Sequence, residues 1–201
     1  MPPKFDARLE ERILTAAERL WTAKGGKGLT LRAVAHHAKT TTPTVYKRFR
    51  NKKALQVALA HRFREELAEY CLSARTLEEA YRRYLRFAED FPHKYELLWL
   101  VWTEVFRPDQ PRPIRTWLLE RLANRFGGKP EQFALTFYAI FLLSHGAATL
   151  LTVPGNEDVR KELRESFLAI SDAILQRGDT FQSNRPDSAG PGDAEKPAPS
   201  C

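Results

Sequence analysis

The sequence is poor in sulfur-containing residues. Of its 201 residues only two are cysteine and one is methionine. Cys71 and Cys201 have neither the spacing of a disulfide framework nor that of a metal site, which favours a reduced, intracellular protein. The sequence contains no glycine-rich phosphate loop, H-E-x-x-H pair or G-x-S-x-G frame. We therefore expect no metal, no cofactor, no catalytic residues and no enzymatic activity.

A secretory leader is not apparent either, because the first 25 residues mix four carboxylates with basic side chains. We expect a cytoplasmic protein. One uncharged run, the 21 residues 133–153, is long enough to cross a membrane. Polar residues interrupt it, and its flanks lack the charge asymmetry that orients a membrane helix. Since a helix that is apolar all round can equally be buried in a soluble bundle, we favour burial.

No stretch of the chain alternates apolar and polar residues as a strand does, whereas helical periodicity recurs throughout. The sequence therefore predicts an all-α fold, with helices at residues 8–23, 31–38, 42–49, 52–71, 77–91, 93–106, 114–126, 131–153 and 158–176. After Phe181 apolar residues vanish, and Gly, Pro, Ser, Asp and Ala dominate. This composition predicts a disordered tail over residues 178–201.

Charge is spread unevenly along the chain. Residues 1–64 hold 15 Lys and Arg against 4 Asp and Glu, a net charge of +11. The other 137 residues hold 17 and 21, a net charge of −4. A basic N-terminal unit joined to a mildly acidic remainder indicates that only the first unit meets a polyanion.

The most informative stretch is residues 42–55, which read TPTVYKRFRNKKAL. Thr42 is a suitable helix N-cap and Pro43 a suitable first helical residue. Val45 and Phe49 share one face and can anchor a short helix, whose other face carries hydroxyls and cations but no acid. Asn51 can cap the next helix. Cations in its first turn are favourable if a phosphate binds at that end.

Residues 13–21, 29–38 and 43–55 together resemble the DNA-binding domain of the TetR/AcrR family of bacterial transcription regulators. The resemblance implies an N-terminal helix-turn-helix DNA-binding domain at residues 1–64. It also implies a C-terminal helical bundle for effector binding and dimerisation at residues 65–177. One departure lies in the turn of the motif, where the family usually has Gly-Val and this chain has Lys39 followed by Thr40. Lys costs more than Gly if that residue needs a positive φ.

The resemblance also implies the site residues. Tyr46 and Lys52 are expected to contact phosphate, while Thr42, Thr44 and Lys47 face base edges. The full set of expected DNA contacts is Thr41, Thr42, Thr44, Tyr46, Lys47, Arg48 and Lys52. The alternative for these residues is a solvated basic face. The excess of aromatic residues between Phe87 and Trp117 separately predicts an effector pocket, lined by Phe87, Trp99, Trp102, Phe106, Trp117, Phe141 and His145. Each of these aromatic residues could instead belong to the core.

Together these features predict a ligand-responsive transcription regulator. We expect a repressor that binds a palindromic operator in double-stranded DNA as a homodimer joined through residues 131–153 and 158–176. A small hydrophobic or cationic effector is expected to release it. The alternative is a helical protein that binds nucleic acid without sequence preference and has no effector.

Overall fold

The computed structural model describes residues 7–107 and 109–177, which form ten α-helices and one short 3-10 helix. These two ranges contain no strand, and the predicted all-α fold is confirmed. The predicted tail at residues 178–201 lies outside the described residues. In chain order the helices are α1 (Ala7–Gly28), α2 (Leu31–His37), α3 (Thr42–Arg48), α4 (Lys52–Leu72), α5 (Leu77–Asp90), α6 (Pro92–Leu100), α7 (Trp102–Val105), α8 (Pro113–Phe126), α9 (Ala134–Thr152) and α10 (Glu157–Gln176).

The first three helices pack with the start of α4 into an N-terminal unit. Its core includes the buried side chains Ile13, Trp21, Val34, Val45, Phe49 and Leu59. Helix α1 continues past its predicted end to Gly28, although Gly25 interrupts it with φ 57 and ψ −152. Glycine adopts this conformation easily. A Cβ at Gly25 would also lie 3.2 Å from Nδ1 of His93, so the glycine lets α6 approach α1 closely.

Helix α3 begins with a different cap from the predicted one. Thr41, not Thr42, has the extended backbone of an N-cap, and its Oγ1 accepts a hydrogen bond from the Thr44 N–H at 3.3 Å. Thr42 is therefore the first helical residue and Pro43 the second. Two adjacent threonines offer the same capping group, so local sequence could not choose between them.

Helix α4 belongs to both halves of the protein. It packs on α1 at one end and on α5, α6 and α8 farther along. Its buried residues run from Leu55 to Cys71 in one continuous core. The domain boundary expected after residue 64 thus falls inside a helix, so the two halves are joined by a rigid element and not by a linker.

Two predicted helices of the C-terminal half differ from the structure. The predicted helix 93–106 is two helices, α6 and α7, separated at Val101, whose side chain is fully buried. The break turns α7 so that Trp102 stacks on Trp99 at 4.5 Å. The predicted helix 131–153 opens with the 3-10 turn Pro130–Phe133 before α9 starts at Ala134.

Helices α9 and α10 pack on each other, and α9 also packs on α5. Each has a second, exposed apolar face. On α9 and just beyond it the face consists of Leu135, Tyr138, Leu142, Leu150 and Val153, and on α10 it includes Val159 and Ile170. We call these seven residues the outer apolar face. By length and composition alone Pro130–Thr152 could cross a membrane, which is weak evidence because the core helix of a soluble protein passes the same test.

Candidate functional site

The predicted recognition helix α3 is held by its inner side. Val45 and Phe49 are buried in the N-terminal core, whereas Tyr46 is 53% exposed and Lys47 is exposed. Thr42 lies half-buried at the start of the helix. The structure thus presents hydroxyls and a cation on the outside of a short, anchored helix, an arrangement suited to base edges and phosphates.

The two threonine hydroxyls at the cap are engaged with each other. Oγ1 of Thr41 and Oγ1 of Thr44 lie 2.8 Å apart, within hydrogen-bonding distance. Whichever hydroxyl accepts in this pair keeps its own O–H free to donate to a base or phosphate. Lys47 has no such internal partner among the described residues, which makes it the freest group on α3 for base contact.

Arg48 is the predicted DNA contact that the fold places differently from its neighbours. Its side chain is only 18% exposed and lies 3.8 Å from the carboxylate of Glu10. The guanidinium therefore ties the end of α3 to α1. Its position favours a structural contribution to the N-terminal unit over a direct contact with bases.

The start of α4 carries the remaining predicted phosphate contact. Asn51 caps the helix as predicted, since its Oδ1 accepts the N–H of Ala54 at 2.8 Å. Lys52 is exposed, and its Nζ donates to the carbonyl of Gly26 at 2.8 Å. Because an ammonium has three donors, Lys52 can keep this bond and still reach a phosphate.

Five of the seven predicted pocket residues meet in one place. We call Trp99, Trp102, Phe106, Phe141 and His145 the aromatic cluster. The ring centroids lie 4.5 Å apart for Trp99–Trp102, 4.1 Å for Trp102–Phe106 and 3.7 Å for Trp99–His145. Phe141 and His145 are four residues apart on α9 and stack at 6.4 Å. The cluster therefore joins α6, α7 and α9.

The other two predicted pocket residues lie elsewhere. Phe87 is buried beside Tyr70 and Phe91, with ring centroids 6.5 and 5.4 Å away. Trp117 on α8 has the guanidinium of Arg121 at 4.8 Å from its ring centre. Their aromatic character suggested the pocket, but neither forms a ring contact with the cluster among the described residues.

Sequence reasoning missed Tyr95, which closes the inner side of the cluster. Its hydroxyl lies 2.6 Å from Nδ1 of His145 and 3.3 Å from the hydroxyl of Tyr84. Burial raises the pKa of Tyr95 to about 12 and lowers the pKa of His145. Both groups are therefore neutral near pH 7, and the phenol can donate to the imidazole. The spacing of four between Tyr95 and Trp99 was the signal that could have revealed it.

The rings of the cluster fill the space between α6, α7 and α9 by contacting one another. The indole N–H of Trp99 is buried there and makes no hydrogen bond of good geometry among the described residues, although it interacts with the side chain of Tyr95. Trp102 remains 36% exposed at the edge. A flat ligand can therefore enter only by separating stacked rings, and it would find an unused donor inside.

Acidic groups do not surround this cluster in a way that would select cations. Glu104 of α7 pairs with Lys53 at 3.0 Å, and the pKa of Glu104 is lowered by this hydrogen bond. Glu96 lies exposed beside His93. Attraction for a cationic ligand would come from the aromatic faces themselves. Within residues 7–107 and 109–177, no group of three His, Cys, Asp or Glu side chains is placed to hold a metal ion.

Comparison with known proteins agrees with this geometry. The family model for "Bacterial regulatory proteins, tetR family" matches residues 13–59, the range that contains α2, α3 and the turn between them. Over these residues the chain is similar to the DNA-binding unit of this family. The described residues form an N-terminal helix-turn-helix followed only by further helices. No protein of curated function matches its sequence.

Solved structures share most of the fold. TetR from Acinetobacter baumannii AYE is 18% identical, with 90% of this chain and 100% of that chain covered and a TM-score of 0.67. A TetR-family transcriptional regulator from Streptomyces coelicolor is 26% identical, with 85% and 98% covered and a TM-score of 0.59. The multidrug binding protein EbrR complexed with proflavin is 21% identical, with 81% and 99% covered and a TM-score of 0.53.

Mild acid is expected to lower the free energy of unfolding of this protein through its aromatic cluster. Because burial lowers the pKa of His145, the unfolded chain takes up the proton first. The stability contributed by neutral His145 is fully present above pH ~6.5, the ordinary pKa of histidine in an unfolded chain. It is lost as the pH falls through the lower pKa that His145 has in the folded protein. Urea unfolding measured from pH 8 to pH 5 should show this loss. In His145→Gln the free energy of unfolding should depend less steeply on pH. His61, whose pKa burial also lowers, contributes to what remains. Identical pH slopes in both proteins would contradict the assignment.

Proposed function

We propose that this protein is a ligand-responsive transcription repressor that binds a two-fold-related operator as a homodimer and is released by a small hydrophobic or cationic molecule. The observation that carries the proposal is the anchored helix α3, with exposed Tyr46 and Lys47 in the most basic part of the chain. An all-helical body with an aromatic cluster and an outer apolar face supplies the other two parts. No catalytic role is proposed.

DNA recognition divides into positioning and base contact. We assign Tyr46 and Lys52 to phosphates on either side of the groove, because one is exposed on α3 and the other stands at the start of α4. Lys47 is our candidate for a guanine, and the methyl group of Thr42 can pack on a thymine methyl. The recognition helices of a dimer would enter successive major grooves roughly 34–36 Å apart.

Dimerisation is assigned to the outer apolar face. On α9 its residues recur at 135, 138 and 142, the spacing of one helical stripe, and Leu142 is 64% exposed. Contiguous apolar surface of this kind marks an interaction site in a soluble protein. A two-fold axis beside α9 would place the same stripe of the second copy against it, giving a four-helix interface with the two copies of α10.

The aromatic cluster is our proposed effector site. Its stacked rings and the free indole N–H of Trp99 suit a planar aromatic molecule that replaces ring–ring contacts with its own. EbrR, complexed with proflavin, shows that the fold accommodates such a ligand in one relative. Proflavin, a planar aromatic cation, is therefore a suitable probe for this chain.

Helix α6 connects the effector site to the DNA-binding unit. One side of it carries Trp99, while its first turn is fastened to α1 and α4. The Trp21 indole donates to the carbonyl of His93 at 2.5 Å, and Lys94 bonds Glu18 and Glu66 at 2.9 and 2.6 Å. A ligand that displaces α6 must therefore move α1 or break these bonds. Release of DNA requires that the ligand prefer the displaced form.

DNA contacts should separate into two classes by mutation. Lys52→Ala and Tyr46→Phe should weaken binding about equally on all duplexes, because phosphate contacts carry no sequence information. Lys47→Ala should instead relax specificity, by about 1–3 kcal/mol if a bidentate base contact is lost. Titration of a selected operator and of a scrambled duplex measures both.

Lys161→Ala on exposed α10 is the matched control, since it removes one positive charge far from α3. Selection from random duplexes must first yield a palindromic operator. If the selection enriches no sequence, the alternative of binding without sequence preference is supported. If Lys52→Ala, Tyr46→Phe and Lys47→Ala all leave the titrations unchanged, the assignment of α3 as the recognition helix is refuted.

The outer apolar face should hold the dimer together. Leu142→Glu and Ile170→Glu each bring a charge into the proposed interface and should yield monomers at micromolar concentration in sedimentation velocity. Leu100→Glu is the matched control, because Leu100 is 56% exposed on α6, away from this face. Phe167 is unsuitable for this test, since it is buried against Tyr81 within one chain. A wild-type monomer, or dimers in both variants, would argue against the interface.

Proflavin should quench the tryptophan fluorescence of the protein and weaken operator binding by roughly 5–150-fold, an ordinary range for coupled sites. Trp102→Phe should reduce the quenching, whereas Trp117→Phe, outside the cluster, should retain it. Neutral aromatics and fatty acids complete the panel. Quenching with no change in operator affinity would show a pocket that is not a switch, and a response to polar anions alone would contradict the apolar site.

A further inference from the structure

The turn between α2 and α3 holds a lysine in a conformation that suits glycine. Lys39 has φ 50, and it is the one non-glycine residue with positive φ in residues 7–107 and 109–177. Its N–H donates to the carbonyl of His36 at 3.2 Å, and the N–H of Thr40 donates to that of Ala35 at 2.9 Å. These two bonds define a Schellman motif with Lys39 at the left-handed position.

This geometry is imposed by the turn and does not arise from lysine itself. The left-handed position is usually glycine, because a Cβ there crowds the following carbonyl. No ion pair with a described residue compensates for the backbone strain at Lys39, whose side chain is exposed. A strained, exposed lysine without an internal partner indicates a role outside the chain.

Lys39 also lines a surface cleft of about 320 Å³ between α1 and this turn. The cleft is basic, because Arg12 and Arg19 of α1 share its walls with Lys39. Neither arginine forms an ion pair within the described parts of the chain. The single acid on the wall, Glu11, is neutralised by Arg62 at 2.6 Å.

We propose that this cleft, through Lys39, Arg12 and Arg19, is a second contact with the DNA backbone, binding a phosphate beside the groove that α3 enters. The inference rests on the proposed function. Lys39 stands two residues before Thr41, the cap of α3, so its long side chain starts at the end of the helix that meets DNA. Guanidinium groups bind phosphate through bidentate hydrogen bonds, and the ammonium of a lysine adds a positive charge on a flexible side chain.

The proposal predicts opposite effects on stability and binding from one substitution. Lys39→Gly removes both the strain and the charge. Glycine relieves the strain of the left-handed backbone, which stabilises the fold, but it loses more conformational entropy on folding, which offsets part of this gain. The melting temperature should therefore rise by only about 2 °C. The slope of log affinity against log salt should flatten by about 0.9 per subunit, on operator and scrambled duplexes alike.

Three further variants isolate the charge. Lys39→Asn also tolerates the left-handed conformation and should flatten the salt slope equally. Lys39→Arg keeps the charge and should keep the slope. Arg12→Ala should flatten the slope by a similar amount without raising the melting temperature. Lys161→Ala is again the control and should change neither quantity.

Failure of this inference differs from failure of the proposed function. If the wild-type protein selects an operator but Lys39→Gly, Lys39→Asn and Arg12→Ala leave its salt slope unchanged, the cleft does not bind phosphate and the inference is overturned. If the wild-type protein shows no salt-dependent binding to any duplex, the proposed function itself fails. A flattened slope in Lys39→Gly and Lys39→Asn but not in Lys39→Arg establishes the phosphate contact.

Discussion

The ammonium of Lys94 is the point on which the arrangement of the two halves depends. It lies almost buried between Glu18 of α1 and Glu66 of α4, so one charge links three helices. Burial by itself lowers the pKa of Lys94, but the hydrogen bonds that its ammonium donates to Glu66 and Glu18 outweigh this effect and leave the pKa raised. The lysine therefore stays charged. Removing one member would leave partly buried charge without its partner, which costs more than the intact network contributes.

The same helix that carries this link also carries the aromatic cluster, and the two are neighbours in sequence. Lys94 faces α1 and α4, while the next residue, Tyr95, bonds His145 of α9. Because adjacent residues of a rigid helix move together, the proposed route from the cluster to the N-terminal unit is a single turn of α6. Such a connection becomes a switch only when a ligand prefers one arrangement.

Helix α10 shows how one amphipathic pattern can serve two purposes. Phe167 packs edge-on against Tyr81 at 5.5 Å and is buried, whereas Ile170, three residues later, is 48% exposed. Both belong to the apolar stripe visible in the sequence. The stripe is wider than the contact with the rest of the chain, and its uncovered residues together with those of α9 make up the outer apolar face.

The sequence by itself determined the helical fold and the position of nearly every helix, because caps such as Thr30 and Asn51 and the periodicity of apolar residues act locally. It also identified α3 by its motif. Only the tertiary structure decided which partner each side chain meets. Arg48 turned to Glu10, and Tyr95 met His145 although 50 residues separate them. Periodicity shows which residues share a stripe, but what covers that stripe depends on how distant helices pack.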